Sequence, residues 1–474
     1  MSITAIALQN FKGIGDEVRV DLKPITLLFG ANSSGKSTIV QAIHYAREIL
    51  ERQNLNPDYT LYGGEVIELG GFKNFVHNRD LNLPIVMRFY LDLEKIDLPG
   101  YGTLHKNTEL SQRIKSVWLE LTICWNKSKN QPVMTSHKVA INDNEIAKLF
   151  TSGDEVKPAV FLNLTHPLYA NNSGSKPEWQ EIFIEDLSSA LPPLDKLYKV
   201  QQDEDRIALD FDLDLIFNQL VLGPSKVLNG IIQHFRHLGP FRKIPPRNYE
   251  VVLSKNEADW ADGSAAWHTL YRKNPALLKE VSRWMGDRLN TGYSLFMKNY
   301  HETPIAEIKN VNASLDKMPI RHRLMLLETM TGLEMLPQDV GIGFSQVLPV
   351  VVAALDSDAS IIAIEQPELH IHPAIQVELG DLFIQQISHG DQIFVLETHS
   401  EHLMLRLLRR IGETTEDALP THAFPLQPNQ VAVIHVEQTE KGIRLKPIRI
   451  DKTGEFIDRW PQGFFGERSD ELFY

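Results

Sequence analysis

The segment Gly30-Ala31-Asn32-Ser33-Ser34-Gly35-Lys36-Ser37 constrains this chain most, because it matches G-x-x-x-x-G-K-[ST] in full and lies between the two elements its chemistry requires. Residues 1–29 read as two strands, ITAIALQNF and VRVDLKPITLLF, and the second ends in an apolar run suited to a buried strand. After the loop, Ile39, Ala42, Ile43, Ala46, Ile49 and Leu50 recur at three-and-four spacing, the stripe of a helix with one buried face. Strand, loop and helix in that order direct backbone N–H groups and the positive end of a helix dipole at an anion. Gly30, Asn32, Ser33, Ser34, Gly35 and Thr38 belong to such a cradle. Lys36 would neutralise the β- and γ-phosphate oxygens and the Ser37 hydroxyl would ligate Mg²⁺, so the expected cofactors are ATP and Mg²⁺.

A phosphate loop alone does not separate kinases, GTPases and transport-type ATPases; the downstream sequence does. Asp339-Val340-Gly341-Ile342-Gly343-Phe344-Ser345-Gln346 opens an apolar helix running to about Leu355, with Ser345 expected to cap it and Pro349 expected in its first turn. This gives a second anion site at a helix N-terminus, involving Gly343 and Ser345. The strand Ser360–Ile364 follows and ends in Glu365, an acid where a P-loop fold needs a carboxylate to hold the Mg²⁺ water shell. A further strand, FVLET, ends just before His399, and strand ends feed binding sites in α/β sheets. Signature helix followed by acidic strand end is the layout of ATP-binding-cassette (ABC) ATPases.

Composition narrows the partners. With 48 Lys+Arg against 61 Asp+Glu, net −13, no global basic field attracts nucleic acid or acidic membranes, so any such site is a local patch. The single cysteine, Cys124, excludes an internal disulfide framework and cysteine-rich metal sites and suits a reducing compartment. The longest apolar run, Val347–Leu355, contains Pro349 and is about half of the ~20 residues a spanning helix needs. The N-terminus lacks a basic-then-apolar leader pattern. The expectation is a cytoplasmic protein with no membrane partner. Between Pro84 and Leu164, β-rich runs separated by polar turns predict an antiparallel subdomain. A helical stretch, NQLVLGPSKVLNGIIQHFRHL, reads as part of an inserted arm, and a helix is expected directly after Arg321.

The series NFKGIGDEVRVDLKPITLLFGANSSGKST, GIGFSQVLPVV, AIEQPELHIHP and FVLETHSEHL resembles the RecF-like and OLD-like ABC-class ATPases, relatives of SMC heads. The IEQPELHIHP form and the WPQGFF ending look like the stand-alone ATPases of anti-phage defence, as in Septu-type systems. The resemblance covers roughly residues 1–95 and 325–474, and HLGPFRKIPPR at 237–247 also looks like a recurrent loop of these proteins. It implies an α/β fold, an ABC-type P-loop ATPase head built from both ends of the chain (1–95 and 325–474). An antiparallel β subdomain and an inserted, mostly helical arm would fill 96–324. Carried over by position, Gly343 and Ser345 would reach the γ-phosphate held by a second subunit. Glu365 would be the metal-side acid, His399 the switch histidine, and Glu368 and His370 would lie in the loop that signals between subunits.

One departure matters. Gln366 stands where this superfamily usually has the glutamate that activates water, and an amide cannot accept a proton as a carboxylate does. Hydrolysis is then slow, or its base is Glu368, Glu397 or His399. The resemblance implies a homodimer or higher homo-oligomer formed through ATP-sandwiched heads, controlling a separate effector, a nuclease or toxin encoded nearby, in response to a DNA or phage-derived trigger. The alternative is a RecF-like repair ATPase that clamps DNA directly. The chain is not expected to be a nuclease itself. Among weaker features, Glu368-x-His370-x-His372 supplies only part of a metal-ligand set, Arg242 suits a structural ion pair as well as a phosphate contact, and Arg406, Arg409 and Arg410 read as a solvated helix face. The tail aromatics Phe456, Trp460, Phe464, Phe465, Phe473 and Tyr474 are candidates either for docking a partner or, for the inner ones, for packing on the head.

Overall fold

A computed structural model describes residues 3–93, 113–151, 157–168, 178–201, 213–247, 257–272, 275–301 and 320–460. Two large sheets share the chain. The first has six strands in the order β11 (Phe235–Leu238), β15 (Ile361–Glu365), β16 (Ile393–Glu397), β3 (Ile25–Phe29), β17 (Val431–Thr439) and β18 (Gly442–Ile448). Its first five strands are parallel and only β18 is antiparallel. All five residues of β3 are buried, as expected for a parallel strand covered on both faces. Side chains alternate between two cores: Leu28, Ala363 and Val395 face helix α1 (Ser37–Arg52), while Leu27, Ile364 and Phe394 face α5 (Ile342–Leu355), α6 (Pro373–His389) and α7 (Glu401–Thr415).

The second sheet is antiparallel, with nine strands in the order β10-β9-β8-β7-β6-β5-β4-β1-β2. These run from β1 (Ile3–Gln9), β2 (Val18–Asp21) and β4 (Ile85–Asp92) through β5 (Ser116–Asn126), β6 (Gln131–Ile141), β7 (Asn144–Phe150), β8 (Ala159–Asn163), β9 (Trp179–Ile184) and β10 (Val200–Gln201). Because β4 pairs with both β1 and β5, the sheet runs unbroken across residue 95. Helix α1 lies in the core shared by the two sheets, and this corrects the expectation of one buried face. Its His44, Tyr45, Arg47 and Glu48 are buried along with the apolar stripe. Such a helix needs internal partners for its polar groups: Tyr45 Oη donates to the Leu55 carbonyl (3.0 Å), and Glu48 accepts from the Leu61 N–H (2.8 Å).

The arm carries α2 (Gly223–Gln233), α3 (Ser264–Arg272) and α4 (Pro275–Arg283), and a small sheet of β12 (Tyr293–His301), β13 (Ile320–Glu328) and β14 (Glu334–Met335). The helix expected after Arg321 is therefore a strand. Leu324 and Leu326 are buried in the core while Met325 between them is only partly covered, a period of two. The stretch read as continuously helical up to Leu238 also breaks: Phe235–Leu238 is β11, the edge strand beside β15. Among the described residues one helical run, Leu213–Gln233, is long and apolar enough to cross a membrane, but most of it is buried inside the fold.

Arg406 and Arg410 are not a solvated face. They pair with Asp381 and Glu378 of α6 at 2.6–2.9 Å, Arg410 also pairs with Glu413 within α7 (2.5 Å), and only Arg409 is largely exposed. Trp460 packs edge-on against Phe29 (5.8 Å between centroids) and beside Phe456 (4.8 Å), so the inner tail aromatics fold back on the head. Phe464, Phe465, Phe473 and Tyr474 lie outside the described residues.

Candidate functional site

Three adjacent parallel strands end at one edge of the six-stranded sheet: β3, which leads into the phosphate loop, then β16, then β15. Their register sets Glu397 level with Leu28 on one side and with Glu365 on the other. The loop's glycines are obligatory. Gly30 has φ +154°, and a Cβ there would sit 2.2 Å from the Val436 carbonyl; Gly35 has φ +97°, with Ile443 Cδ1 2.1 Å from such a Cβ. Asn32 and Ser33 are exposed at the loop's tip, and Ser33 adopts φ +62°. Ser34, Lys36 and Thr38 are buried, and the Ser34 hydroxyl has no hydrogen-bond partner among the described residues. Helix α1 starts at Ser37 with no side-chain cap, which leaves its N-terminal dipole to the loop.

Lys36 Nζ curls back to donate to the Gly30 (3.0 Å) and Ala31 (2.9 Å) carbonyls and lies 3.8 Å from Glu397 Oε1. Burial lowers its pKa, opposed by Glu397, Glu368 and Glu365. Ser37 Oγ donates to Glu397 Oε2 at 2.7 Å. The Glu397 carboxyl is raised above its ordinary range by burial first and by the Glu365 charge second. Hard oxygen donors therefore converge beside a lysine at the loop, a donor set that suits Mg²⁺. Among the described residues no group of three or more His, Cys, Asp or Glu could hold a metal by itself. The Glu368-x-His370-x-His372 run is otherwise engaged: Glu368 accepts from Thr398 Oγ1 (2.8 Å) and the His399 N–H (2.7 Å), and His372 Nδ1 accepts from the Ala374 N–H.

Glu365 Oε1 accepts from the ring of a residue the sequence reading did not single out, His237 on β11, whose Nε2 is 2.9 Å away. Gln366 follows with φ +46°, its N–H donating to the Glu397 carbonyl (2.7 Å). Beneath it, the buried Arg242 donates to the carbonyls of Glu365 (2.7 Å), Gln366 (3.3 Å) and Gln346 (3.2 Å). Burial lowers the Arg242 pKa to about 10, against the pull of Glu368 and Glu365. Arg242 thus braces the acidic strand end against α5. His399 is half-buried past the end of β16, and burial followed by the Lys36 charge lowers its pKa, so its ring is neutral at pH 7.

Helix α5 differs in detail from the sequence reading. It begins at Ile342 with Gly341 as N-cap, four residues earlier than a Ser345 cap would place it. Ser345 is fully buried and its hydroxyl donates to the Ile342 carbonyl (2.7 Å), while Pro349 lies two turns inside the helix, where it removes the N–H that would bond the Ser345 carbonyl. The solvent-facing N-terminal turn is Gly341-Ile342-Gly343, with Ile342 57% exposed. At Gly343 a Cβ would meet the His370 carbonyl at 2.9 Å, so the loop after Gln366 packs directly on this turn.

Sequence reasoning missed His237 because it took β11 for the end of a helix; the β-compatible FRHL before Gly239-Pro240 is the signal that marks the strand. Glu397 was legible only as one of three possible bases, since nothing in the sequence sets the register that brings it to Ser37.

Two family profiles for ATPases match the chain: an AAA ATPase domain over residues 1–181, and an AAA domain whose description names the AbiEii toxin and Type IV TA systems over 285–405. A third family profile, described as a protein of unknown function (DUF3696), matches 426–473. No curated protein sequence matches. Similar solved structures include an SMC head bound to the C-winged helix domain of ScpA, 11% identical with TM-score 0.45, covering 95% of this chain and 99% of that one. The SMC head domain from Thermotoga maritima is 8% identical with TM-score 0.40, covering 95% and 100%. An SMC head with extended coiled coil from Pyrococcus furiosus, bound to the C-terminal domain of ScpA, is 11% identical with TM-score 0.40, covering 95% and 97%. The chain is thus a mixed α/β protein with a phosphate loop between β3 and α1, and ATPase-domain matches cover both its N-terminal and its C-terminal part.

Proposed function

We propose that the protein is a nucleotide-gated regulatory ATPase whose heads pair around ATP and control a separate effector. The observation that carries this reading is the meeting of Lys36, Ser37 and Glu397 at the strand ends, on a head whose α5 N-terminal turn is left facing solvent. In this reading the phosphate loop binds the triphosphate and Lys36 exchanges its Gly30 and Ala31 carbonyls for phosphate oxygens. Ser37, Glu397 and Glu365 would hold Mg²⁺, and the chemistry it would supply is neutralisation of charge on the transferring phosphate. Gly341 to Gly343 of a second copy present free N–H groups to the γ-phosphate from the opposite side. The buried Ser345 hydroxyl supports that turn from within by holding the Ile342 carbonyl.

A defence setting with a toxin or nuclease effector is supported by the IEQPELHIHP form and by the match whose description names a toxin–antitoxin system. The pairing is tested by light scattering with a non-hydrolysable ATP analogue. A protomer of 53.9 kDa is expected to double in mass on saturation, and an unchanged mass with nucleotide bound rejects it.

Turnover is expected to be slow, because position 366 holds an amide and Glu368 is occupied by Thr398 and the His399 backbone. Gln366→Glu places a carboxylate on the same left-handed residue and should raise steady-state phosphate release by about 10-fold or more, within the usual general-base contribution. A level or lower rate in the folded variant assigns water activation to another residue.

A further inference from the structure

We infer that His237 is a positioning residue for Glu365, holding that carboxylate on the metal side of the site. The inference rests on the reading of Glu365 as a Mg²⁺-side acid. His237 sits on β11, paired in parallel with β15 so that it lies level with Ala363, two residues before Glu365. Two residues along a strand is one pleat repeat, so the two side chains emerge on the same face of the sheet. The imidazole is fully buried, and its Nε2 lies 2.9 Å from Glu365 Oε1.

Glu365 needs such a hold. Its register neighbour is Glu397, so two carboxylates stand side by side at the strand ends. Glu397 is fixed by Ser37 and sits near Lys36, whereas Arg242 reaches only the Glu365 backbone carbonyl. The only side chain seen to hold the Glu365 carboxylate among the described residues is therefore His237. Without it, repulsion from Glu397 turns the Glu365 carboxylate away from the loop. With Nε2 carrying the proton and donating to Oε1, one oxygen is pinned and the other is left to the metal's side.

The ring itself is held in place. His44 of α1 packs edge-on against it (5.2 Å between centroids) and against Phe235 (5.0 Å). His44 is held well below the usual histidine range, by burial first and by its neighbours His237 and Arg47 next, and so is neutral.

The test compares His237→Phe, His237→Gln and Glu365→Gln, reading by calorimetry the ratio of ATP affinities with and without Mg²⁺. His237→Phe keeps the ring volume and removes the donor; His237→Gln restores an N–H near the Nε2 position. His237→Phe should lower the Mg²⁺ enhancement of ATP binding by about 10-fold, the weight of one hydrogen bond to a charged group. Mg²⁺-free ATP affinity should stay at the wild-type value, and His237→Gln should recover most of the enhancement. If Glu365→Gln lowers the enhancement while His237→Phe leaves it at the wild-type value, the inference about His237 fails and the reading of Glu365 stands. If Glu365→Gln itself leaves the enhancement unchanged, the reading of Glu365 fails first. Equal losses in His237→Phe and His237→Gln, accompanied by equal drops in melting temperature, would show a packing role and overturn the inference.

Discussion

Lys36→Ala should weaken ATP binding by about 100-fold or more, taking it out of range of a calorimetric titration. Two charge-assisted hydrogen bonds to phosphate oxygens contribute about 1.5–3 kcal/mol each, and every 1.4 kcal/mol is tenfold in affinity. The loop constrains where those bonds can come from. Gly30 and Gly35 fix a backbone with no room for side chains, Ser34 offers one buried hydroxyl, and Lys36 supplies the only cation whose ammonium bonds the loop's own carbonyls among the described residues. An unchanged affinity in the folded variant would move the nucleotide away from this loop.

Glu397→Gln should lower Mg²⁺-dependent hydrolysis by about 100-fold or more, in the range lost when one preorganised charge-stabilising group is removed from an active site. ATP binding without Mg²⁺ should be retained. Stability provides the control. Burial and the neighbouring Glu365 charge raise the Glu397 pKa, so its ionised form costs folding free energy at any pH above that raised value, and the cost is relieved as pH falls through it. The amide removes that cost while its oxygen can still accept from Ser37, so the melting temperature at pH 7 should hold or rise. Lost turnover with unchanged or higher stability separates a metal-side role from a structural one. Wild-type turnover would place the metal elsewhere.

The sequence made the phosphate loop, the acidic strand end and the two-ended head readable because each is a local pattern. The loop matches its motif residue by residue, and runs such as IIAIE and IFVLE carry the unbroken apolar signal of buried parallel strands. What escaped was set by long-range register or by burial. α1 appears amphipathic in sequence, yet it lies between two sheets and buries polar residues that periodicity assigns to solvent. FRHL is four residues at the end of a helical run, too short to announce a strand, yet it brings His237 to Glu365 across 128 positions of sequence. Ser345 resembles a cap because serine favours that position, but Gly341 and Gly343 allow the helix to start earlier and draw Ser345 into the core. Arg406 and Arg410 of α7 read as solvated because their acidic partners Glu378 and Asp381 stand on a different helix.

The central claim, that each nucleotide is completed by the α5 turn of a second copy, is tested most directly by capture between two differently tagged variants. Ile342→Glu changes an exposed first-turn residue, so it removes little packing, and an acid at a helix N-terminus suits the dipole; facing a γ-phosphate, however, it repels. Lys36→Ala cannot hold ATP but keeps an intact turn. With a non-hydrolysable ATP analogue, neither variant should capture its own kind, while the mixture should form pairs with one competent shared site. Self-capture of Ile342→Glu at the wild-type level, or a mixture that stays unpaired while wild type pairs, would contradict a site shared between two heads.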